Sequence, residues 1–274
     1  MIGLTSPGRS SVVFGVVLTA LLTGCGKAPV NPTARVPVSA PPTTGALRLP
    51  EGPPVRVLFV GNSLTAGHDV PGLVQALAAA GGVRVEYRAS IIPGASLEDQ
   101  WAAVGPRDAL RETEFRFVVL QQGPSTLPES RENLTLWAGR WAEEARKHGA
   151  APALYMVWPN RKQRDGVALA AQSYRAAADA CGGKILPAGE AFREALAADP
   201  DVPLFDADDF HASEAGAYLA SLVITHGLTG IRPSTAPDDL TLMSGARLSI
   251  PTPLAAKLRA AAETVVGPPA KPPK

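Results

Sequence analysis

Strand-like apolar runs alternate with helix-like stretches from residue 55 onward, and this alternation constrains the fold more than any other feature. Residues 55–60 read V-R-V-L-F-V, a β-branched run typical of a buried parallel strand. Further strand-like runs follow at 83–88, 115–120, 153–157 and 184–186. Helical patterns lie near 71–80, 96–103, 129–148, 166–180, 189–198 and 213–226. Because repeated strand-helix units bury a parallel sheet on both faces, the sequence predicts an α/β three-layer sandwich with a five-stranded parallel sheet.

Polar or small residues come directly after several of these predicted strands. Ligands of parallel α/β sheets bind beyond the carboxyl ends of the strands. Ser63, Gly94, Ser125 and Asn160 each follow a predicted strand closely. We therefore expect these four residues to lie at one edge of the sheet.

A histidine preceded by acids lies far downstream, in the segment Asp208-Asp209-Phe210-His211. Serine, histidine and a carboxylate are the nucleophile, base and orienter of acyl transfer, because the imidazole takes the serine proton and the carboxylate fixes the imidazole tautomer. Asp208 can reach His211 across one turn, and Asp206 and Asp209 are alternatives. The residues alone predict that Ser63 and His211 act as one catalytic unit with one of these three acids.

These two segments resemble the SGNH, or GDSL, family of serine esterases and lipases. Gly61-Asn62-Ser63-Leu64 is similar to the G-D-S-L block that carries the nucleophile, and Asp208 to His211 is similar to the D-x-x-H block that carries the acid and the base. The resemblance covers residues from about 55 to 230 and implies the flavodoxin-like form of the sandwich. It assigns the nucleophile to Ser63, the base to His211 and the orienting acid to Asp208.

The same resemblance implies an oxyanion hole. Gly94 matches the family's glycine block, so the backbone amides of Ser63 and Gly94 are expected donors. The family's third donor is the asparagine of a G-x-N-D block, but here Gly123-Pro124-Ser125-Thr126 takes its place and Ser125 stands at the asparagine position. We predict that Ser125 or Gln122 supplies this donor, with Asn160 as a further candidate.

Asn62, Trp158 and Asn160 are predicted to contact substrate because they adjoin strand ends.

Two tryptophans four residues apart on a helix, Trp137 and Trp141, are predicted to be core or partly buried surface. The remaining histidines have other expected roles. His148 and His226 each precede a glycine at a helix end and are expected to interact with the terminal carbonyls, whereas His68 either lines the cleft or is a solvated loop residue.

The first 24 residues are typical of a lipoprotein signal peptide. Arg9 precedes an apolar run at 12–22 that is too short to span a bilayer. The run ends in Leu22-Thr23-Gly24-Cys25, which looks like the lipobox of bacterial lipoproteins, so Cys25 is the expected lipidation site. An ordinary signal peptide with an incidental cysteine is the alternative. Because Gly26 is not an aspartate-type retention signal, we expect the bacterial cell envelope, at the outer membrane where the cell has one.

The rest of the chain divides by composition. Residues 25–54 contain the lipidated cysteine and eight prolines, which favour an extended spacer. The hydrolase domain is predicted at 55–232, a C-terminal extension with a packing helix at 233–266, and a disordered tail at 267–274. Cys181 is expected to be a small core residue.

Composition excludes several classes of function. A hydrophobic content of 46% excludes wholesale disorder, and a net charge of +1 gives no basic surplus for nucleic acid. No metal-site, phosphate-loop or dinucleotide signature is present, so no metal or cofactor is implied, and the absence of G-x-S-x-G argues against an α/β-hydrolase elbow.

The predicted protein is a secreted, lipid-anchored, monomeric hydrolase that cleaves an acetyl or acyl oxygen ester. A carbohydrate of the envelope is one predicted substrate, and lipid esters and thioesters are others. The alternative is a catalytically inactive envelope lipoprotein that keeps the fold to bind a glycan or a protein.

Overall fold

The computed structural model describes residues 36–40, 47–163 and 165–267. The predicted signal peptide, Cys25, much of the spacer and residues 268–274 of the predicted tail lie outside the described residues. Within the described ranges, the strands are β1 (Val38–Ser39), β2 (Val55–Gly61), β3 (Val85–Ile91), β4 (Phe117–Leu120), β5 (Ala151–Tyr155), β6 (Lys184–Leu186), β7 (Asp239–Thr241) and β8 (Arg247–Ser249). The α-helices are α1 (Ser63–Ala66), α2 (Val70–Ala80), α3 (Leu97–Ala102), α4 (Pro106–Glu112), α5 (Pro128–Lys147), α6 (Gly166–Cys181), α7 (Ala188–Ala198), α8 (Glu214–Thr229) and α9 (Thr252–Val266).

The main sheet has six strands in the order β1-β3-β2-β4-β5-β6. The five strands from β2 to β6 are parallel, as the sequence predicts. The sixth strand, β1, corrects the strand count, because it pairs antiparallel with β3 from within the predicted spacer. A proline-rich extended segment and an edge strand have similar backbone conformations, and the free edge of β3 offers amide and carbonyl groups to pair with.

Helices cover both faces of the sheet. In one layer α5 packs against α3 and α6, and in the other α8 packs against α2, α7 and α9. β2 runs through the centre between them, and its residues Val57, Leu58, Phe59 and Val60 are buried. This arrangement confirms the predicted three-layer α/β sandwich.

Several element boundaries differ from the sequence prediction. The second and fourth predicted strands are displaced to Val85–Ile91 and Ala151–Tyr155, and neither α4 nor the antiparallel pair β7–β8 was predicted.

Ser213 caps α8 as expected, because its Oγ accepts a hydrogen bond from the Gly216 amide at 3.2 Å. Cys181 is buried. Among the residues of the described ranges, no helix combines the length and apolarity that crossing a bilayer requires.

Candidate active site

Ser63 lies at the carboxyl end of β2, where the strand turns into a single turn of helix. Asn62 caps this turn, because its Oδ1 accepts a hydrogen bond from the Leu64 amide at 3.1 Å. Gly61 must lack a side chain, since a Cβ there would lie 2.4 Å from Thr65 Oγ1 and 2.7 Å from an oxygen of Gln121. The tight turn leaves Ser63 partly exposed while its neighbours Asn62 and Leu64 are buried.

Gln121 fixes this turn from the end of the neighbouring strand β4. Its Oε1 accepts hydrogen bonds from the Asn62 amide at 2.9 Å and from Thr65 Oγ1 at 2.8 Å, and its Nε2 donates to Asn62 Oδ1 at 3.0 Å. The side chain is buried. No role for Gln121 was predicted from the sequence, although a polar residue directly after a buried strand is a signal that could have identified it.

His211 links Ser63 to Asp208. Its Nε2 lies 2.9 Å from Ser63 Oγ, and its Nδ1 lies 2.5 Å from Asp208 Oδ2. The other acids of the segment have different partners: Asp206 lies 3.5 Å from His68, and Asp209 lies 3.3 Å from Lys162. The geometry therefore separates Asp208 from the two alternatives that sequence left open.

The Asp208 carboxylate is held in its charged form. The hydrogen bond with the His211 ring lowers the pKa of Asp208 to about 2, with further contributions from the backbone amides of Phe210 and His211. Those amides donate to Oδ1 at 3.0 and 2.9 Å. Because an ionised carboxylate only accepts hydrogen bonds, Nδ1 must carry a proton, and in the neutral ring Nε2 is then free to accept one from Ser63.

Trp158 contacts the loop that contains His211. Its Nε1 donates to the Phe210 carbonyl at 3.0 Å, and its ring stacks on Phe192 with 3.6 Å between centroids. The side chain is buried at the end of β5 and lies beside a cavity of about 390 Å³ that Asn160 also lines, so its role in substrate binding stays a prediction.

Asn62 belongs to the scaffold. Its Nδ2 donates to the Ala95 carbonyl at 2.9 Å, and its Oδ1 is occupied by Leu64 and Gln121. The prediction that Asn62 binds substrate is therefore not supported, because its side chain is buried and bonded to protein groups. The bond to Ala95 ties the Ser63 turn to the loop that contains Gly94.

A cleft of about 590 Å³ lies along the carboxyl edge of the sheet. Gly94, Ser125 and Asn160 line it together, as their predicted positions after three strands require. Gly94 has a φ of +68°, a left-handed conformation that glycine adopts without strain. Among the residues that the structure describes, neither the Gly94 amide nor the Ser63 amide has a protein acceptor.

The side chains of Gln122 and Ser125 bond to each other and to the backbone. Gln122 Nε2 donates to Ser125 Oγ at 2.9 Å and to the Ser130 carbonyl at 3.3 Å, while Ser125 Oγ donates to the Gly123 carbonyl at 3.0 Å. Both residues are buried. These bonds use the donors that the sequence analysis assigned to the oxyanion site, so neither side chain is available there in this arrangement.

Asn160, the third candidate, has a different environment. Its Oδ1 accepts a hydrogen bond from the Lys162 amide at 2.9 Å, which fixes the orientation of the side-chain amide. Within the described ranges, no protein acceptor is found for its Nδ2. Asn160 therefore presents the side-chain donor that Gln122 and Ser125 do not.

The remaining aromatic and histidine residues lie outside the Ser63–His211 contact. Trp141 is buried, as expected, and donates to the Leu97 carbonyl at 3.0 Å. His226 contacts the carbonyl of Ile231, beyond the end of α8, and His148 lies 3.6 Å from the Glu144 carboxylate. Both contacts differ from the expected one with the last carbonyls of the helix.

No protein-family model matches the chain, and no curated protein matches it either. Solved structures do match. A candidate SGNH hydrolase from Slackia heliotrinireducens is 26% identical, with a TM-score of 0.55, over 64% of this chain and 100% of its own. The fold is that of the SGNH hydrolases. A DUF4886 family protein from Bacteroides uniformis is 17% identical over 78% of this chain and 95% of its own, with a TM-score of 0.64.

An acetyl xylan esterase, AlAXEase, is also similar in fold. It is 15% identical over 62% of this chain and 98% of its own, with a TM-score of 0.52. The solved structures that resemble this chain thus include an SGNH hydrolase and an acetyl xylan esterase.

Proposed function

We propose that this protein is a serine carboxylic ester hydrolase in which Ser63 is the nucleophile, His211 the general base and Asp208 the residue that orients it. The single observation that supports this most strongly is the unbroken chain of contacts from Asp208 Oδ2 through both ring nitrogens of His211 to Ser63 Oγ, at 2.5 and 2.9 Å. The residues come from segments 148 positions apart in sequence, so local sequence effects do not explain their contact.

Acylation begins when Ser63 Oγ attacks the ester carbonyl carbon. The hydroxyl proton moves to His211 Nε2 as the new C–O bond forms, and the carbonyl oxygen becomes negatively charged. The tetrahedral intermediate then expels the alcohol, which takes the proton from Nε2. Asp208 stays ionised throughout and stabilises the charged imidazolium.

Deacylation repeats these steps with water. His211 Nε2 takes a proton from the water molecule as its oxygen attacks the acyl carbon, and the tetrahedral intermediate breaks its bond to Ser63 Oγ. The proton on Nε2 returns to Ser63, and the carboxylic acid leaves.

The negative oxygen of both intermediates requires hydrogen-bond donors. We assign this role to the backbone amides of Ser63 and Gly94, which have no protein acceptor among the described residues, and to Nδ2 of Asn160. One such donor contributes about 3 kcal/mol to transition-state stabilisation in enzymes where it has been removed.

We propose an acetyl or other short acyl ester on a carbohydrate of the cell envelope as substrate. The cleft is lined mainly by uncharged polar and small side chains, a composition that suits the hydroxyl groups of a sugar. The similar fold of an acetyl xylan esterase agrees with this choice. Attachment to the envelope through a lipid on Cys25 belongs to the same proposal and derives from the sequence alone.

A fluorophosphonate probe and chromogenic esters test the proposal directly. We expect the full-length chain in mild detergent to hydrolyse 4-nitrophenyl acetate and to be labelled at Ser63. The variant Ser63→Ala should show neither reaction, and Ser213→Ala, which removes a helix cap instead, should keep both. Ester turnover that survives Ser63→Ala would overturn the mechanism.

A binding protein with the same fold is the second candidate. The bonds that occupy Gln122 and Ser125 favour it, since they remove two of the three side chains that were candidates for the third oxyanion donor. A folded wild-type chain that is inert to every ester and to the probe, but that binds an envelope glycan, would establish this candidate instead.

A further inference from the structure

The segment after the Ser63 turn contains two consecutive residues in the left-handed region. His68 and Asp69 have φ values of 49° and 53°. This conformation is uncommon for residues other than glycine, and such strain concentrates at functional sites. The Gly67 amide donates to the Ser63 carbonyl, so the strained segment is bonded directly to the residue that we propose as nucleophile.

Local structure accounts for Asp69 but not for His68. Asp69 caps α2, because its Oδ1 accepts a hydrogen bond from the Gly72 amide at 3.0 Å. His68 has no comparable role in its own segment. Its Nε2 lies 3.5 Å from Asp206 Oδ2, and among the described residues Asp206 is the only acid within ion-pairing distance of it.

Asp206 belongs to the loop that contains the acid and the base. Its backbone amide donates to the His211 carbonyl at 2.9 Å, and its carbonyl accepts from the Asp209 amide at 3.1 Å. The neighbouring bridge between Phe205 and Ala212 closes the same loop. A contact with the Asp206 carboxylate therefore acts on the backbone that places His211.

We infer that His68 is a positioning residue of the proposed hydrolase: its contact with Asp206 holds the segment of Ser63 against the loop of His211. This inference rests on the proposed function. The Ser63–His211 contact joins two separate segments, and the side chains of His211 and Asp208 are 37% and 50% exposed, so core packing alone does not fix the distance between Ser63 and His211. The pair His68–Asp206 adds a second connection between the same two segments.

The test compares His68→Asn, Asp206→Asn and the double variant in the full-length chain. Asparagine tolerates the left-handed conformation, so His68→Asn removes the imidazole without changing the backbone requirement. The matched control is His148→Asn, since the His148 side chain is exposed to a similar extent, 30% against 32%, and also lies beside an acid, Glu144. Each variant is assayed for kcat and KM with 4-nitrophenyl acetate, for the rate of Ser63 labelling by the fluorophosphonate, and for Tm.

We expect kcat and the labelling rate to fall about tenfold in each single variant, since displacing reacting groups by about 1 Å can cost up to about a hundredfold. KM should change by less than about twofold, and the double variant should resemble the single ones because both remove one contact. Tm should stay within about 4 °C of the wild type, because an exposed pair contributes at most about 1 kcal/mol and this amount shifts Tm by about 2 to 4 °C in a domain of this size. His148→Asn should leave all four quantities unchanged.

The outcomes separate the inference from the proposed function. A wild-type chain that neither turns over ester nor reacts with the probe removes the proposed function itself. An active wild type with unchanged kcat in both single variants, or with losses that multiply in the double variant, overturns the role of His68. If His68→Asn does not fold, Asp206→Asn alone decides, because the Asp206 carboxylate is 48% exposed and its removal leaves the core intact.

Discussion

Gln121 and Asn62 bond to each other twice across adjacent strands. Oε1 of Gln121 accepts from the Asn62 amide at 2.9 Å, and Nε2 of Gln121 donates to Asn62 Oδ1 at 3.0 Å. The pair connects the carboxyl end of β4 to the turn that presents Ser63. The buried side chain of Gln121 cannot touch substrate itself. It nevertheless sets the backbone orientation of Ser63, the residue that we propose as nucleophile.

Replacing Gln121 should therefore reduce both stability and turnover. We expect Gln121→Ala to lower the free energy of unfolding by about 2 kcal/mol, because it leaves the buried Asn62 amide and the Thr65 hydroxyl without their acceptor. Urea unfolding and kcat would measure the two effects. The control is Gln172→Ala on the exposed side of α6. Equal stability of the two variants would contradict the role of Gln121.

The environment of the cleft predicts which side chain completes the oxyanion hole. We expect Asn160→Ala to lower kcat about a hundredfold or more with little change in Tm, because it removes a donor that acts on the transition state. Ser125→Gly, which keeps the left-handed backbone at that position, should retain most activity. The reverse pattern, with loss in Ser125→Gly and none in Asn160→Ala, would restore the assignment that the sequence suggested.

Asp208 should not contribute to the pH dependence of activity in the usual assay range. Its pKa is lowered to about 2, chiefly by the hydrogen bond with His211, whereas an unfolded aspartate titrates near about 3.9. Because the pKa is lower in the folded state, the Asp208 carboxylate makes its full contribution to folding stability above about pH 4. It loses this contribution as the pH falls through about 2. The Asp208 carboxylate therefore stays charged over an assay range of about pH 5 to 9.

We accordingly expect Asp208→Asn to lower kcat/KM by about a thousandfold or more. Any decrease of kcat/KM at acidic pH that the wild type shows should remain in this variant. The neighbouring variant Asp209→Asn is the control, since Asp209 pairs with Lys162 and asparagine suits its positive φ. Profiles of kcat/KM against pH for both variants provide the measurement. An acid limb that is present in the wild type and absent in Asp208→Asn would show that this carboxylate does titrate there.

The parts of the site that depend on local pattern could be predicted from the sequence. The apolar run of β2 and its abrupt end predict where Ser63 lies, because both faces of a central parallel strand must be apolar. The three-residue spacing of Asp208 and His211 predicts their pairing, since one turn brings the two side chains together. The parallel topology then predicts that Gly94 and Asn160 share an edge with Ser125.

The hydrogen-bond partners of buried polar side chains could not be predicted. Gln122 and Ser125 had the right position for oxyanion donors, but their donors are used by each other and by backbone carbonyls. Trp158 has a strand-end position that fits a cleft residue, yet the ring of Phe192 covers it. The position of Trp158 depends on Phe192, a neighbour that is distant in sequence. Gln122 and Ser125 instead bond within their own turn, where Ser125 has a φ of +56°, and the sequence pattern did not specify this backbone conformation.

The lipid anchor is a prediction that rests on Leu22-Thr23-Gly24-Cys25 alone. We expect Cys25→Ser to abolish acylation, so that the protein is released or misprocessed and its intact mass lacks the acyl groups. The control is Cys181→Ala, which removes the other cysteine, a buried residue of α6. Unchanged membrane partition and mass in Cys25→Ser would show that the segment is not a lipobox.

Ser63 and His211 should behave as one unit in kinetics. Neither group can act without the other, because the serine needs the base to lose its proton and the base has no other proton to take in acylation. We expect Ser63→Ala and His211→Ala each to remove most of kcat, and the double variant to be little worse than either. Burst kinetics with 4-nitrophenyl acetate would show whether an acyl-enzyme forms in the wild type. Losses that multiply in the double variant would mean that Ser63 and His211 contribute independently, and the 2.9 Å contact between them would then not be the route of proton transfer.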